Sequence, residues 1–200
     1  MNVIIDYKAG NLLNLKNALD FLDIPNDIVT DPEAVRKADR ILFPGVGAFG
    51  AARNNLKQSG MLDAIRDSIA AGKPFLGICV GAQLLFEESE EDGIHEGLGL
   101  LKGKVVRFRH ELKIPQMGWN QVHRVKLDLL FQDIPDHSYF YFVHSYHFLP
   151  ENEANVLAHT DYGVQFSSVV RQDNVWGVQF HPEKSQDAGL RLLKNFCDLT

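Results

Sequence analysis

Cysteine is scarce in this chain, with two in 200 residues. That excludes a disulfide-stapled scaffold and makes a reducing, cytoplasmic setting the expectation. Long apolar runs are missing as well, none approaching the ~20 residues of a transmembrane helix. The opening Met1-Asn2-Val3-Ile4-Ile5-Asp6 has neither the basic start nor the apolar stretch of a signal peptide, and reads as a first β-strand. Positive charge is in deficit: 20 Lys and Arg against 26 Asp and Glu leave a net charge of −6. A nucleic-acid binder with a concentrated basic face is therefore excluded. Low-complexity linkers and internal repeats are also lacking. What remains is a 45% hydrophobic composition, enough to core one domain over residues 1–200.

The first half alternates strand and helix patterns. Asn2–Asp6, Ile28–Thr30, Ile41–Phe43 and Pro74–Ile78 read as short strands. Asn11 is placed to cap a helix with Leu12, Leu15, Ala18, Leu19 and Leu22 on one face. Further helices are expected over about 48–58, 61–71 and 82–89. Strands alternating with helices imply crossover connections and a mainly parallel open sheet flanked by helices, a three-layer α/β fold. The second half is strand-rich, with Val, Phe and Tyr concentrated in Leu101–Phe108, Gln121–Arg124, Tyr139–Phe148, Val156–Thr160, Val164–Arg171 and Val175–Phe180. A last helix is expected from Ser185 to Asp198.

Two segments a hundred residues apart have the components of one catalytic device. Gly77-Ile78-Cys79-Val80-Gly81-Ala82-Gln83 puts a thiol on a glycine-flanked strand-to-helix turn, like a nucleophile elbow with sulfur in place of oxygen. A thiol just before a helix also feels the positive end of the helix dipole. Gln179-Phe180-His181-Pro182-Glu183 places His181 and Glu183 two apart in an extended segment, hence on one side of the chain. There a carboxylate orients an imidazole that faces the thiol, the logic of a Cys-His-Glu triad. Each segment has a plain alternative: a strand cysteine packed as a small apolar residue, and a surface histidine beside a helix-starting acid. Cys197, in a helical pattern without polar partners, is read as structural. The glycine-rich Pro44–Gly50 loop puts the backbone N–H groups of Val46 and Gly47 within reach of a developing oxyanion, partnered by that of Val80. It lacks the Gly-Lys-Ser/Thr of a phosphate loop, and a tight structural turn is the alternative. His144 and His147 stand three apart, which on a strand points them to opposite faces, so no metal site and no cofactor are expected.

Gly77-x-Cys79-x-Gly81-x-Gln83 together with His181-Pro182-Glu183 resembles the class I, triad-type glutamine amidotransferases. Asp6-Tyr7 with Gly10-Asn11-Leu12, Pro44–Phe49, Met117-Gly118-Trp119-Asn120, Phe142–Tyr146 and Gln179–Ser185 extend the resemblance over nearly the whole chain. They are similar, within that family, to the glutaminase subunits of imidazole glycerol phosphate synthases. The resemblance implies hydrolysis of glutamine to glutamate and ammonia through a Cys79 thioester, with His181 as acid and base and Glu183 orienting it. It implies that Gln83 contacts the amino-acid end of the substrate and that Gly47, Ser145 and Tyr146 line the site. Glu91 is a candidate for the substrate ammonium, set against its place in the acidic run Glu87–Glu91. A (β/α)8-barrel synthase subunit that consumes the ammonia is implied as heterodimer partner, with Asn11, Asn14, Trp119 and Lys184 at the interface. For Trp119 a core aromatic is the alternative. Three other readings stand beside this one. They are a glutaminase subunit of another amidotransferase such as pyridoxal phosphate synthase, a stand-alone thiol hydrolase, and a non-catalytic docking subunit.

Overall fold

The computed structural model describes residues 1–8 and 11–199; Gly10, quoted above with Asn11, lies outside the described residues. The first strand, β1 (Asn2–Ile5), is entirely buried and pairs in parallel with β2 (Asn26–Val29) on one side and β3 (Arg40–Gly45) on the other. Next comes β4 (Phe75–Cys79), also buried at every position, then β13 (Val175–Val178) parallel to it. The unbroken burial of β1, β4 and β13 belongs to strands covered on both faces, and with β3 and the half-exposed edge strand β2 they form the parallel block. Beyond β13 the sheet turns antiparallel through β12 (Gln165–Gln172), β10 (Tyr146–Pro150) and β7 (Leu101–Arg107), then closes with β5 (Phe86–Ser89) and β6 (His95–Glu96). A branch leaves β12 through β11 (Val156–Asp161) to β8 (Gln116–Arg124) and β9 (Ser138–His144).

The helices flank the sheet in two groups. Helix α1 (Leu12–Phe21) packs on α6 (Gln186–Asp198), while α2 (Pro32–Lys37) and α3 (Phe49–Gln58) pack on α4 (Met61–Ala70). Leu15, Ala18 and Leu19 of α1 are buried, as their spacing predicts. The cap assigned to Asn11 is not made: its side chain accepts no bond from the helix, and its backbone sits at φ −90°, ψ 71°. Helix α2 was not anticipated, although Asp31 accepts from Glu33 N–H at 3.0 Å and Pro32 occupies the first turn.

The larger correction concerns residues 82–89. The helix after Cys79, α5, spans only Val80–Gln83, and β5 follows almost at once. The carbonyls of Leu84, Leu85 and Phe86 accept N–H groups from Leu98, Leu100 and Gly99, contacts that a continuing helix would forbid. Met117–Asn120 lies within strand β8, and the single run expected over Tyr139–Phe148 breaks at Ser145 into β9 and β10. No helix among the described residues is long and apolar enough to cross a membrane.

Candidate active site

Parallel pairing delivers the two sequence segments to the same place. In the register of β3, β4 and β13, Gly45 lies opposite Cys79 and Val178 opposite Ile78. The loop after Gly45 and the turn carrying His181 therefore leave the sheet beside Cys79, at the carboxyl ends of adjacent parallel strands. Cys79 itself takes φ +53°, ψ −114°, a conformation costing a non-glycine residue roughly 1–3 kcal/mol. Close packing below makes the turn possible. A Cβ on Gly81 would lie 1.9 Å from the Phe43 carbonyl oxygen, so only glycine lets α5 settle onto β3.

His181 and Glu183 are buried together, their side chains 3% and 4% exposed, with Nδ1 donating to Glu183 Oε1 at 2.8 Å. The backbone around them is tied to β9. His181 N–H donates to the Tyr141 carbonyl at 2.9 Å, and Ser185 Oγ donates to the His181 carbonyl and accepts from Tyr141 N–H. Burial opposes a charged imidazole, yet the Cys79 sulfur and the Glu183 carboxylate outweigh it and push the His181 pKa up to about 10. The ring's Nε2 has no hydrogen-bond partner among the described residues, leaving its proton directed to the space shared with Cys79. Tyr7 is buried nearby, its hydroxyl also without a partner among those residues; desolvation, then the sulfur, raise its pKa.

Cys79 and His181 open into a cavity of about 280 Å³ lined also by Val46, Gly47, Val80, Gln83, Glu91, Val143, Ser145 and Tyr146. Every residue assigned from sequence to the oxyanion loop or the substrate thus borders one space. Glu91 lines the cavity and accepts from Phe49 N–H at 2.7 Å. Burial raises its pKa, and the Phe49 bond acts against that rise. Gln83 is less free than expected, since its Nε2 donates to the Tyr146 carbonyl at 3.0 Å and to Gln179 Oε1 at 3.2 Å. Across the cavity, His144 has Nδ1 2.7 Å from the same Tyr146 carbonyl and Nε2 2.9 Å from the Gln116 carboxamide. Desolvation drops its pKa to about 3, which favours the neutral ring. Gln179, Ser185 and Tyr141 had no assigned role in the sequence. For Gln179 the available signal was its position two residues before His181 on an extended segment.

Of the expected interface residues, Asn14 and Lys184 line one groove that also borders Glu183. Lys184 Nζ lies 5.8 Å from the centre of the Tyr141 ring, on which Trp119 packs edge-on at 6.1 Å. Trp119 is 46% exposed, which removes the core alternative. It shares an outward face with Met117 and Tyr139, both more than half exposed. Asn11 is exposed at the start of α1. Cys197 is buried in α6, and burial pushes its pKa up to about 12.

Known proteins share the fold. A solved glutamine amidotransferase superimposes with a TM-score of 0.76 at 23% identity, covering 97% of this chain and 98% of its own. The glutaminase domain of Trypanosoma brucei CTPS with bound acivicin follows at 0.66 and 16%, covering 100% of this chain and 94% of its own. These likenesses show the fold. In sequence, the imidazole glycerol phosphate synthase subunit HisH of Sulfurimonas denitrificans is 48% identical, over 98% of this chain and 97% of that protein. The subunit of the same name from Aquifex aeolicus is also 48% identical, over 97% and 94%. The family described as Glutamine amidotransferase class-I matches residues 3–199, and the chain belongs to that family, on the branch of the HisH subunits.

Proposed function

We propose that this chain is the glutaminase subunit of an imidazole glycerol phosphate synthase, folded as one domain over residues 1–200 and working in the cytoplasm. The observation that carries the chemistry is the strained Cys79 turn facing a buried His181–Glu183 pair in a cavity of about 280 Å³. That volume, just below the usual range for ligand sites, suits one amino acid. The Cys79 thiolate attacks the side-chain amide carbon of glutamine, and the carbonyl oxygen takes the negative charge. Backbone N–H groups of Val46 or Gly47 and of Val80 stabilise that oxyanion. Protonated His181 gives its proton to the departing nitrogen, so ammonia leaves and a thioester remains. The neutral ring then takes a proton from water as it attacks the thioester, releasing glutamate and restoring the thiolate–imidazolium pair. Glu183 holds the ring and favours its charged form throughout. Glu91 receives the substrate ammonium, while Gln83, Ser145 and Tyr146 bound its amino-acid end.

The ammonia has a consumer in this reading, a (β/α)8-barrel synthase subunit docked over Asn11, Asn14, Trp119 and Lys184. An outward strand face bearing Met117, Trp119 and Tyr139 beside the cavity supports such a contact. In Cys79→Ser the complex should assemble and make imidazole glycerol phosphate from ammonium salts, yet lose glutamine-driven synthesis by at least ~10³-fold. Glutamine turnover within tenfold of the unaltered chain would overturn the nucleophile. Ordinary glutaminase activity with no association to the barrel subunit would favour a different amidotransferase.

A further inference from the structure

The buried side of Cys79 is not left to apolar packing. Gln179 has no measurable exposure, and its Nε2 stands 3.8 Å from Cys79 Sγ. Behind it runs a chain of amides. Gln179 Oε1 accepts from Gln83 Nε2 at 3.2 Å, and Gln83 Nε2 also donates to the Tyr146 carbonyl at 3.0 Å. A backbone carbonyl only accepts, so the Gln83 nitrogen must face Tyr146. Its second hydrogen then fixes Gln179 with oxygen toward Gln83 and nitrogen toward the sulfur. The direction of the last bond is therefore set at the far end of the chain, by a backbone atom that cannot reverse.

From this we infer that Gln179 is a positioning residue for the nucleophile, its carboxamide donating to the Cys79 sulfur and favouring the thiolate over the thiol. The assignment rests on Cys79 being the nucleophile. A carboxamide N–H···S contact is weak against a thiol and becomes charge-assisted against a thiolate, so its effect falls on the reactive form. The contact anchors Sγ from its buried side, while Cys79 and His181 both border the cavity. The other titratable group beside the sulfur is Tyr7, from the end of β1, whose hydroxyl makes no bond among the described residues. Gln179 does not itself touch the cavity, since that space is lined on this side by Cys79, Gln83 and His181. Its role is thus separate from substrate binding, and kcat rather than KM should register its loss.

The test is alkylation of Cys79 by iodoacetamide as a function of pH, read by intact mass on the full chain. Gln179→Met keeps the length of the side chain and removes the donor. Its alkylation rate should fall about tenfold at about pH 6, with the loss narrowing as pH rises. Gln179→Glu keeps the oxygen that Gln83 needs and turns an acceptor on the sulfur, so its loss at about pH 6 should be larger. Gln83→Met, which removes the donor that sets the direction, should displace the profile in the same sense by less. A pH profile unmoved in all variants that fold, even with lower turnover, would overturn the inference and leave Gln179 as packing. Failure of the unaltered chain to react with a diazo-ketone analogue of glutamine would instead overturn Cys79 as nucleophile.

Discussion

Two buried histidines face each other across the cavity, and their surroundings push them to opposite charge states. On the wall built from β4, α5 and the turn after β13, His181 meets a sulfur and a carboxylate and is held protonated. On the wall built from β8, β9 and β10, His144 meets a backbone carbonyl and a carboxamide and is held neutral. Burial is near-complete in both cases and by itself favours the neutral ring. The outcome is therefore decided by the neighbours, for His181 the Cys79 sulfur and the Glu183 carboxylate, the latter 2.8 Å from Nδ1. Catalytic character lies in the neighbours of the residue, and burial strengthens whatever those neighbours dictate.

The hardest blow to this contrast is Glu183→Gln, which gives His181 an uncharged partner like that of His144. Turnover should drop by roughly 10²- to 10⁴-fold, because ring orientation and imidazolium stabilisation fail together. The alkaline limb of kcat/KM should also move to lower pH, since the carboxylate is one of the groups raising the His181 pKa. A fall in kcat with an unmoved alkaline limb would mean that orientation alone matters.

On the outer side of the second wall, Trp119→Ala should weaken docking of the barrel subunit by ~2 kcal/mol, about thirtyfold in the dissociation constant. Glutamine-driven synthesis should fall in parallel at limiting partner concentrations, with Cys79 still reactive toward a diazo-ketone. Association unchanged by the substitution would place the interface elsewhere.

The neutral wall makes a smaller and slower claim, on stability. For His144 the folded pKa of about 3 lies below the ordinary 6.5, so between those values the unfolded chain binds a proton that the folded one refuses. Stability attributable to this ring is complete above pH 6.5 and is lost as pH falls toward about 3. For His181 the sign reverses: its contribution is complete below 6.5 and lost as pH rises through about 10. Urea midpoints measured against pH should show a shallower acid limb in His144→Gln than in the unaltered chain. Equal slopes would mean that other groups govern the acid limb.

The sequence made the pieces that depend on local pattern legible. The buried runs of β1, β3 and β4, the faces of α1 and α6, and the two segments that meet at the candidate site all follow from spacing and chain direction. Its silences were about long-range capture. Leu84, Leu85 and Phe86 carry a helical pattern, but their carbonyls are taken by residues 98–101, a competition no local window contains. Glu91 looked like one solvated acid among several, and only the fold reveals that the N–H of Phe49, 42 residues away, draws it inward. Trp119 had two readings because an aromatic residue on a strand suits core and interface alike, until the partner strand shows which face is outward. Helix α2 was readable and unread: Asp31-Pro32-Glu33 is a capped helix start in plain sequence.

The left-handed backbone at Cys79 has a consequence for thermal endurance. Glycine ordinarily makes a protein less stable than alanine by about 0.5–1 kcal/mol, because its unfolded chain is freer. At φ +53°, ψ −114° that order should invert, since glycine alone occupies the turn without strain. Cys79→Gly should then melt about 2–4 °C above Cys79→Ala, both being inert toward glutamine, and a calorimetric scan reversing that ranking would mean the turn relaxes once the sulfur is gone. If the ranking holds, the reactive thiol occupies a position where a chain released from its chemistry would gain heat tolerance, and a relative carrying glycine there would be recognisable as one that has given up the reaction while keeping the fold.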